Sequence, residues 1–303
     1  MTTETSFARD SAPVRPHGGQ RPTSDGSSSR SASSTGQRIR RFVRTPKGTL
    51  ILVFAALLGV AGSATGWPLV GPHVLAAVAG ACLFELAIVG LVARRLAWPS
   101  SAVLSGLIVA FVLGPDTSPG VTVLVAGLAT ASKHLVRTSR GHVFNPAALA
   151  LLISIPMFAT GQSWWGAGGD LAWPFLALVI AGGALIVDRI NKFPLVLAFA
   201  ATYFGLFTVV SLADPTAVAE MFRAPFVQAA LFLALFMLTD PPTSPGRYLD
   251  QVWVGMLAAG TACVGQLVGA GQAYLLIGVL VGNAALAARR SCHLALAQRA
   301  TLA

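Results

Sequence analysis

Beyond residue 47 the chain is a succession of apolar blocks, and the Gly, Pro and charged residues that punctuate them predict ten membrane-spanning helices. They fall at about 49–66, 70–93, 101–114, 118–136, 146–160, 172–187, 193–212, 226–239, 251–268 and 272–288. The third and eighth are short. At 1.5 Å per residue, 101–114 and 226–239 each cover about 21 Å of a hydrocarbon layer roughly 30 Å thick. Each runs into a Gly/Pro phrase, FVLGPDTSPG at 111–120 and FMLTDPPTSPG at 236–246, and the phrases align with one inserted residue. Both follow the third span of a five-span half, so the second copy runs upside down relative to the first. The expected fold is therefore an all-α polytopic membrane protein of ten transmembrane helices, arranged as two inverted five-helix repeats over 48–160 and 172–290, with broken third and eighth helices. Non-helical backbone at that depth must be buried in protein or line a cavity, which makes the two breaks the expected binding region. The competing reading of the same residues is two ordinary short helices ending in surface turns.

Composition strengthens the membrane assignment. The chain is 54% hydrophobic and only 11% charged, whereas a water-soluble domain carries about a quarter of its residues charged. No Lys, Arg, Asp or Glu occurs in 48–84, 141–169 or 251–288. Residues 1–47 differ in kind: Ser, Gly, Pro and Arg dominate, and nine basic residues lie between Arg9 and Lys47. They read as a disordered basic tail that stays attached, because no short apolar stretch follows the first positive charges. Residues 291–303 read as a second tail. A net charge of +10 could suggest nucleic acid, but with the first tail inside, 20 of the 21 Lys and Arg fall on the inner side of ten spans and only Arg223 falls outside. Asp116, Asp170, Asp214 and Glu220 all fall outside. That asymmetry orients a membrane protein with both termini cytoplasmic and explains the charge without nucleic acid. Cys82, Cys263 and Cys292 are too scattered for a disulfide framework, a zinc site or a four-thiolate cluster, and read as small buried apolar residues.

Ser118-Pro119, Asn145-Pro146 and Ser244-Pro245 each place a good N-cap before Pro, predicting helix starts whose partial positive charge suits a phosphate or a reduced, anionic flavin. Thr239, Asp240, Thr243 and Ser244 gather polar groups at the second break, for capping or for cofactor binding. His134 and His142 flank the basic loop Lys133 to Arg140 just before Asn145, and Lys133 and His142 serve topology or an anionic ligand. Glu85 is the one carboxylate near the middle of a predicted span, either handling protons or cations or bonded as the acid to a nearby carbonyl. His73 and the pair His134 and His142 lie at opposite depths, which argues against a bis-histidine haem. Trp164 and Trp165 read as interface anchors in preference to ring-packing residues. With no GxGxxG after a strand, no Walker loop, no cysteine quartet and no catalytic triad, the chain has no recognisable NAD(P)H-binding domain, catalytic residue or metal site.

GHVFNPAALALLIS at 141–154 and FMLTDPPTSPG at 236–246 resemble the FNPA and TDP-x-[ST] phrases of the NqrB/RnfD membrane subunits of ion-pumping electron-transport complexes. The resemblance implies a bacterial plasma-membrane subunit of an oxidoreductase complex, with two inverted five-helix repeats. It also implies a flavin, FMN or riboflavin, that relays electrons between redox partner proteins on the cytoplasmic and outer sides. Members with a covalent flavin carry a Ser-Gly-Ala-Thr-like acceptor after the fifth span; here 160–171 reads TGQSWWGAGGDL, so the expected flavin is non-covalent. The missing acceptor also resembles a shorter relative found among enediyne biosynthesis clusters. The rival readings are a small-solute channel or transporter on the same fold, and a membrane scaffold or export component of a biosynthetic cluster.

Overall fold

The computed structural model describes residues 37, 40–93, 99–138, 141–169, 171 and 173–302. Most of the expected N-terminal tail, together with Arg94, Arg95, Arg140 and Asp170, lies outside the described residues. Met1–Arg41 and Phe42–Ala303 are separate units, and the fold is that of the second.

Helix α1 (Pro46–Thr65) starts at Thr45, whose hydroxyl accepts from the Gly48 N–H at 3.1 Å, with Pro46 where a missing N–H costs nothing. After Gly66 the chain enters α2 (Trp67–Ala93) and then α3 (Ser100–Val112) and α4 (Pro119–Leu135). A two-residue-per-strand hairpin, β1 (Arg137–Thr138) and β2 (Gly141–His142), leads into α5 (Pro146–Phe158). The second half holds α6 (Trp173–Ile190), α7 (Phe193–Ala213), the short α8 (Pro215–Val218) and α9 (Phe226–Phe232), which continues as a π-helical turn, Leu233–Met237. It closes with α10 (Tyr248–Leu267) and α11 (Tyr274–Leu302).

By length and composition five helices can cross a bilayer: Pro46–Thr65, Trp67–Leu91, Trp173–Ile190, Phe193–Ala213 and Gly271–Cys292. A sixth crossing results if Pro215–Phe222 and Phe226–Met237, bent by 59° at their junction, count as one broken span. The expectation of ten spans is thus met in part. Helices α3 and α5 have 13 residues each, about 20 Å of rise, and α4 stops at 17. Residues 291–302, expected as a tail, continue α11.

Two pairs of helices run parallel at constant register. His73 meets Thr122, the Ala81 carbonyl meets Thr130 and Glu85 meets His134, each pair 49 residues apart, which sets α2 beside α4. In the second half Asn191 meets Gln251 and Tyr203 meets Cys263, each 60 apart, which sets α7 beside α10. The second pair is close enough that a methyl on Gly255 would stand 2.5 Å from the Leu195 carbonyl, so a small residue is required there. Between the halves, Phe54, Phe111, Phe232 and Phe236 form a buried aromatic cluster with ring centroids 5.0–6.1 Å apart. Large apolar side chains cover the periphery, among them Leu91 at 83% exposure and Leu212 at 82%, a surface suited to lipid.

Candidate functional site

The end of α3 sets the geometry of the first break. A helix that stops inside the protein leaves its last carbonyls without helical donors. The Gly114 N–H, which would have bonded Ala110, donates instead to the Gly161 carbonyl at 3.0 Å. The Ala110 carbonyl accepts from Trp165 Nε1 at 2.6 Å and lies 3.2 Å from His73 Nε2, while the Val112 carbonyl accepts from the Trp164 N–H at 3.1 Å. Trp164 and Trp165 are therefore not interface anchors, as the sequence suggested. They are 6% and 8% exposed, with ring centroids 6.3 Å from Phe232 and 5.6 Å from Phe111 respectively. Their loop folds inward because the truncated helix needs donors.

The second break is held by side chains from four elements. Asn145 Nδ2 donates to the Met237 carbonyl at 2.9 Å, and Asn283 Nδ2 to the Thr243 carbonyl at 3.2 Å. The Arg290 guanidinium donates to the Pro242 and Ser244 carbonyls at 3.4 and 3.0 Å, the Lys192 ammonium donates to the Pro245 carbonyl, and Gln251 Nε2 donates to the Gly246 carbonyl at 3.3 Å. These donors replace the helical ladder that two adjacent prolines forbid. Lys192, in the α6–α7 connection, has its pKa pushed below the usual lysine range, first by burial and then by the nearby Arg290 charge.

Beside this break lies a cavity of about 260 Å³ lined by Lys47, Ser101, Lys133, His142, Asn145 and Asp240, with Pro146 and Thr239 also on its wall. The first turns of α1, α3 and α5 all contribute to it, so three helix N-termini converge on one space. Asn145 caps α5 through Oδ1, which accepts from the Ala148 N–H at 2.9 Å. Lys133 Nζ donates to the Ser101 carbonyl at 3.0 Å and to Ser101 Oγ at 3.1 Å, and makes no ion pair among the described residues. His142 Nε2 lies 3.1 Å from Asp240 Oδ2, joining the hairpin to the break.

Six of the residues expected at the site, Asn145, Pro146, Lys133, His142, Thr239 and Asp240, thus share this cavity. Thr243 and Ser244 do not line it. Thr243 Oγ1 sits 3.3 Å from Asp240 Oδ2, behind the wall, and Ser244 Oγ donates to the Thr239 carbonyl at 3.4 Å. The Ser244-Pro245 helix start is also corrected: α10 begins three residues later, after Arg247, because the Pro245 and Gly246 carbonyls are bound by Lys192 and Gln251. Ser118 precedes α4 as expected, but its side chain makes no capping bond. Glu85 lies outside the cavity, with Oε2 3.3 Å from His134 Nε2 on α4, so its partner is a histidine and not the carbonyl considered from sequence.

Asn283, Ser101 and Lys47 were not singled out from the sequence. A lone Asn within the uncharged stretch 251–288 was the available signal, since an amide amid apolar residues needs internal partners. A second, polar cavity of about 300 Å³ lies at the opposite end of α3, lined by Gly114, Asp116, Thr117, Ser118, Ser163 and Gln272 among others. The arrangement defines a multi-pass helical membrane protein with one polar break at each end of its centre. No family model matches the chain, and no curated protein matches it.

Proposed function

We propose that this chain is an integral membrane electron-transfer subunit of the NqrB/RnfD type, built on two inverted five-span repeats. In this reading it holds a non-covalent flavin, FMN or riboflavin, in the Asn145 cavity and passes electrons between redox partner proteins on the two sides of the bacterial plasma membrane. One observation carries the reading. The two phrases on which the resemblance rests are separated by about ninety residues, yet Asn145 of the first bonds the Met237 carbonyl at the head of the second, 92 positions on, across one cavity wall. The parallel pairs α2–α4 and α7–α10 support the repeat, and the basic residues Lys47, Lys133, Arg189 and Arg290 support a cytoplasmic location for this end.

The residues fit such a ring. Walls from Leu50, Leu104, Ile108, Ile186 and Phe236 are apolar, and the polar groups cluster at one side. At about 260 Å³ the space lies just below the usual range of ligand sites, roughly 300–1,000 Å³, so a bound flavin would have to place its ring here and its chain outside. When bound, the flavin supplies the redox chemistry. Lys133 and the three helix N-termini offset negative charge in the cavity, and the His142–Asp240 pair provides a proton-holding group at its wall. The chain should purify from membranes in mild detergent with a flavin absorption spectrum, and that flavin should leave no fluorescent band after denaturing electrophoresis. Absence of a flavin spectrum even after incubation with FMN and with riboflavin sinks the reading.

The pair of cavities at opposite ends of α3 also favours a second reading, a small-solute pathway. Against it, the Phe54, Phe111, Phe232 and Phe236 cluster fills the space between with rings that are 0–4% exposed. Solute flux into proteoliposomes above that of empty vesicles, in protein without flavin, would favour the channel.

A further inference from the structure

Asn283 sits in α11, 1% exposed, and does not line the Asn145 cavity. Its carboxamide nevertheless touches both sides of that cavity's frame. Oδ1 accepts from the Asn145 backbone N–H at 2.9 Å, a contact spanning 138 residues of chain, and Nδ2 donates to the Thr243 carbonyl at 3.2 Å, spanning 40. Asn145 in turn uses its own carboxamide on the α5 first turn and on Met237. Two amides therefore stitch the start of α5, the break after the π-helical turn and α11 into one unit. Arg290, seven residues further along α11, holds Pro242 and Ser244, so this one helix carries two of the restraints on the break.

We infer that Asn283 is the positioning residue of the Asn145 cavity. It acts on whatever the cavity holds through Asn145 and Thr243, and it fixes the distance between the α5 N-terminus and Asp240. The inference rests on the flavin reading for its ligand, but the clamp itself rests on geometry alone. Only a side chain offering an acceptor and a donor from one planar head satisfies both contacts: Leu lacks both, whereas a carboxyl buried here would be held as the acid and keep a donor and an acceptor. Asn283 bonds two segments that are distant from it in sequence, and both frame the cavity.

The test uses the full-length chain in mild detergent, wild type and Asn283→Leu. Riboflavin 5′-phosphate binding is followed by fluorescence quenching, and amide hydrogen exchange by mass spectrometry. The expected result is at least a tenfold loss of flavin affinity, with exchange at least tenfold faster in segments 145–149 and 237–246 and unchanged across 254–263. If affinity and local exchange both match wild type, the inference is overturned. If the wild type binds no flavin while exchange rises locally in the variant, the clamp stands and the flavin reading falls. Should Asn283→Leu unfold, Asn283→Ser keeps a polar group but is too short to span both contacts, and is held to the same criteria. Exchange that rises throughout the chain in both variants would make Asn283 a general structural residue and overturn the positioning role.

Discussion

Buried cations and amides hold the Gly/Pro phrase of the second half in place, and Lys192 is the most exacting of them. Its ammonium is desolvated and bonds the Pro245 carbonyl, with Arg290 close by and no carboxylate in contact among the described residues. Its folded pKa is therefore depressed, while in the unfolded chain it titrates near about 10.4. Between those two values the unfolded state binds more protons than the folded one, so stability rises with pH across the window, by up to about 1.4 kcal/mol per pH unit. Below the folded pKa the penalty is constant. Comparing the thermal midpoint of the wild type with that of Lys192→Met from pH 7 upward should show the wild type gaining on the variant as pH approaches 10. A difference that stays flat over that range would contradict the assignment.

The truncated helix α3 makes its own demand on the loop that follows α5. Its apolar sequence forms the helix readily, but the Gly-Pro pair at 114–115 ends it, and the loose carbonyls have to be met from elsewhere. Trp165 meets one through its indole N–H, whereas Trp164 meets another through its backbone, so the two side chains should not be equivalent. Trp165→Phe keeps a ring against Phe111 but loses the donor to Ala110, and should cost about 1–3 kcal/mol. Trp164→Phe loses ring volume as Trp165→Phe does but keeps its backbone bond, and should cost less. Thermal unfolding of both variants in detergent checks the order, and equal costs would show that the indole bond is not what holds the loop. The loop also needs Gly166, where a methyl would lie 2.3 Å from the Phe111 side chain.

At the scale of the full chain, the two cavities face opposite ends of α3, and the proposed orientation puts the Asn145 end, with the surplus of basic residues, on the cytoplasmic side. Ser163 is exposed beside the Asp116 cavity and Cys292 is exposed near the other end. In intact cells a membrane-impermeant maleimide should label Ser163→Cys, and should reach Cys292 only after permeabilisation, with sites mapped by mass spectrometry. Labelling of both from the same side would remove the proposed orientation.

Several features were readable along the chain because they depend on near neighbours. Asn145 followed by Pro146 caps a helix, the length of an apolar run limits what it can cross, and a Gly-Pro pair stops α3. The bilayer as solvent follows from too few charges for a water-facing surface. Other outcomes depended on contacts between distant segments. Ser244 looked as good a cap as Asn145, yet Lys192 and Gln251 bind the carbonyls after it and α10 starts later. Trp164 and Trp165 had the composition of anchors, and the unmet carbonyls of a helix some fifty residues earlier drew them inward. Asn283 became visible only once α11 packed beside both α5 and the break. A local pattern states which backbone groups a segment leaves open, and packing decides which distant side chain closes them.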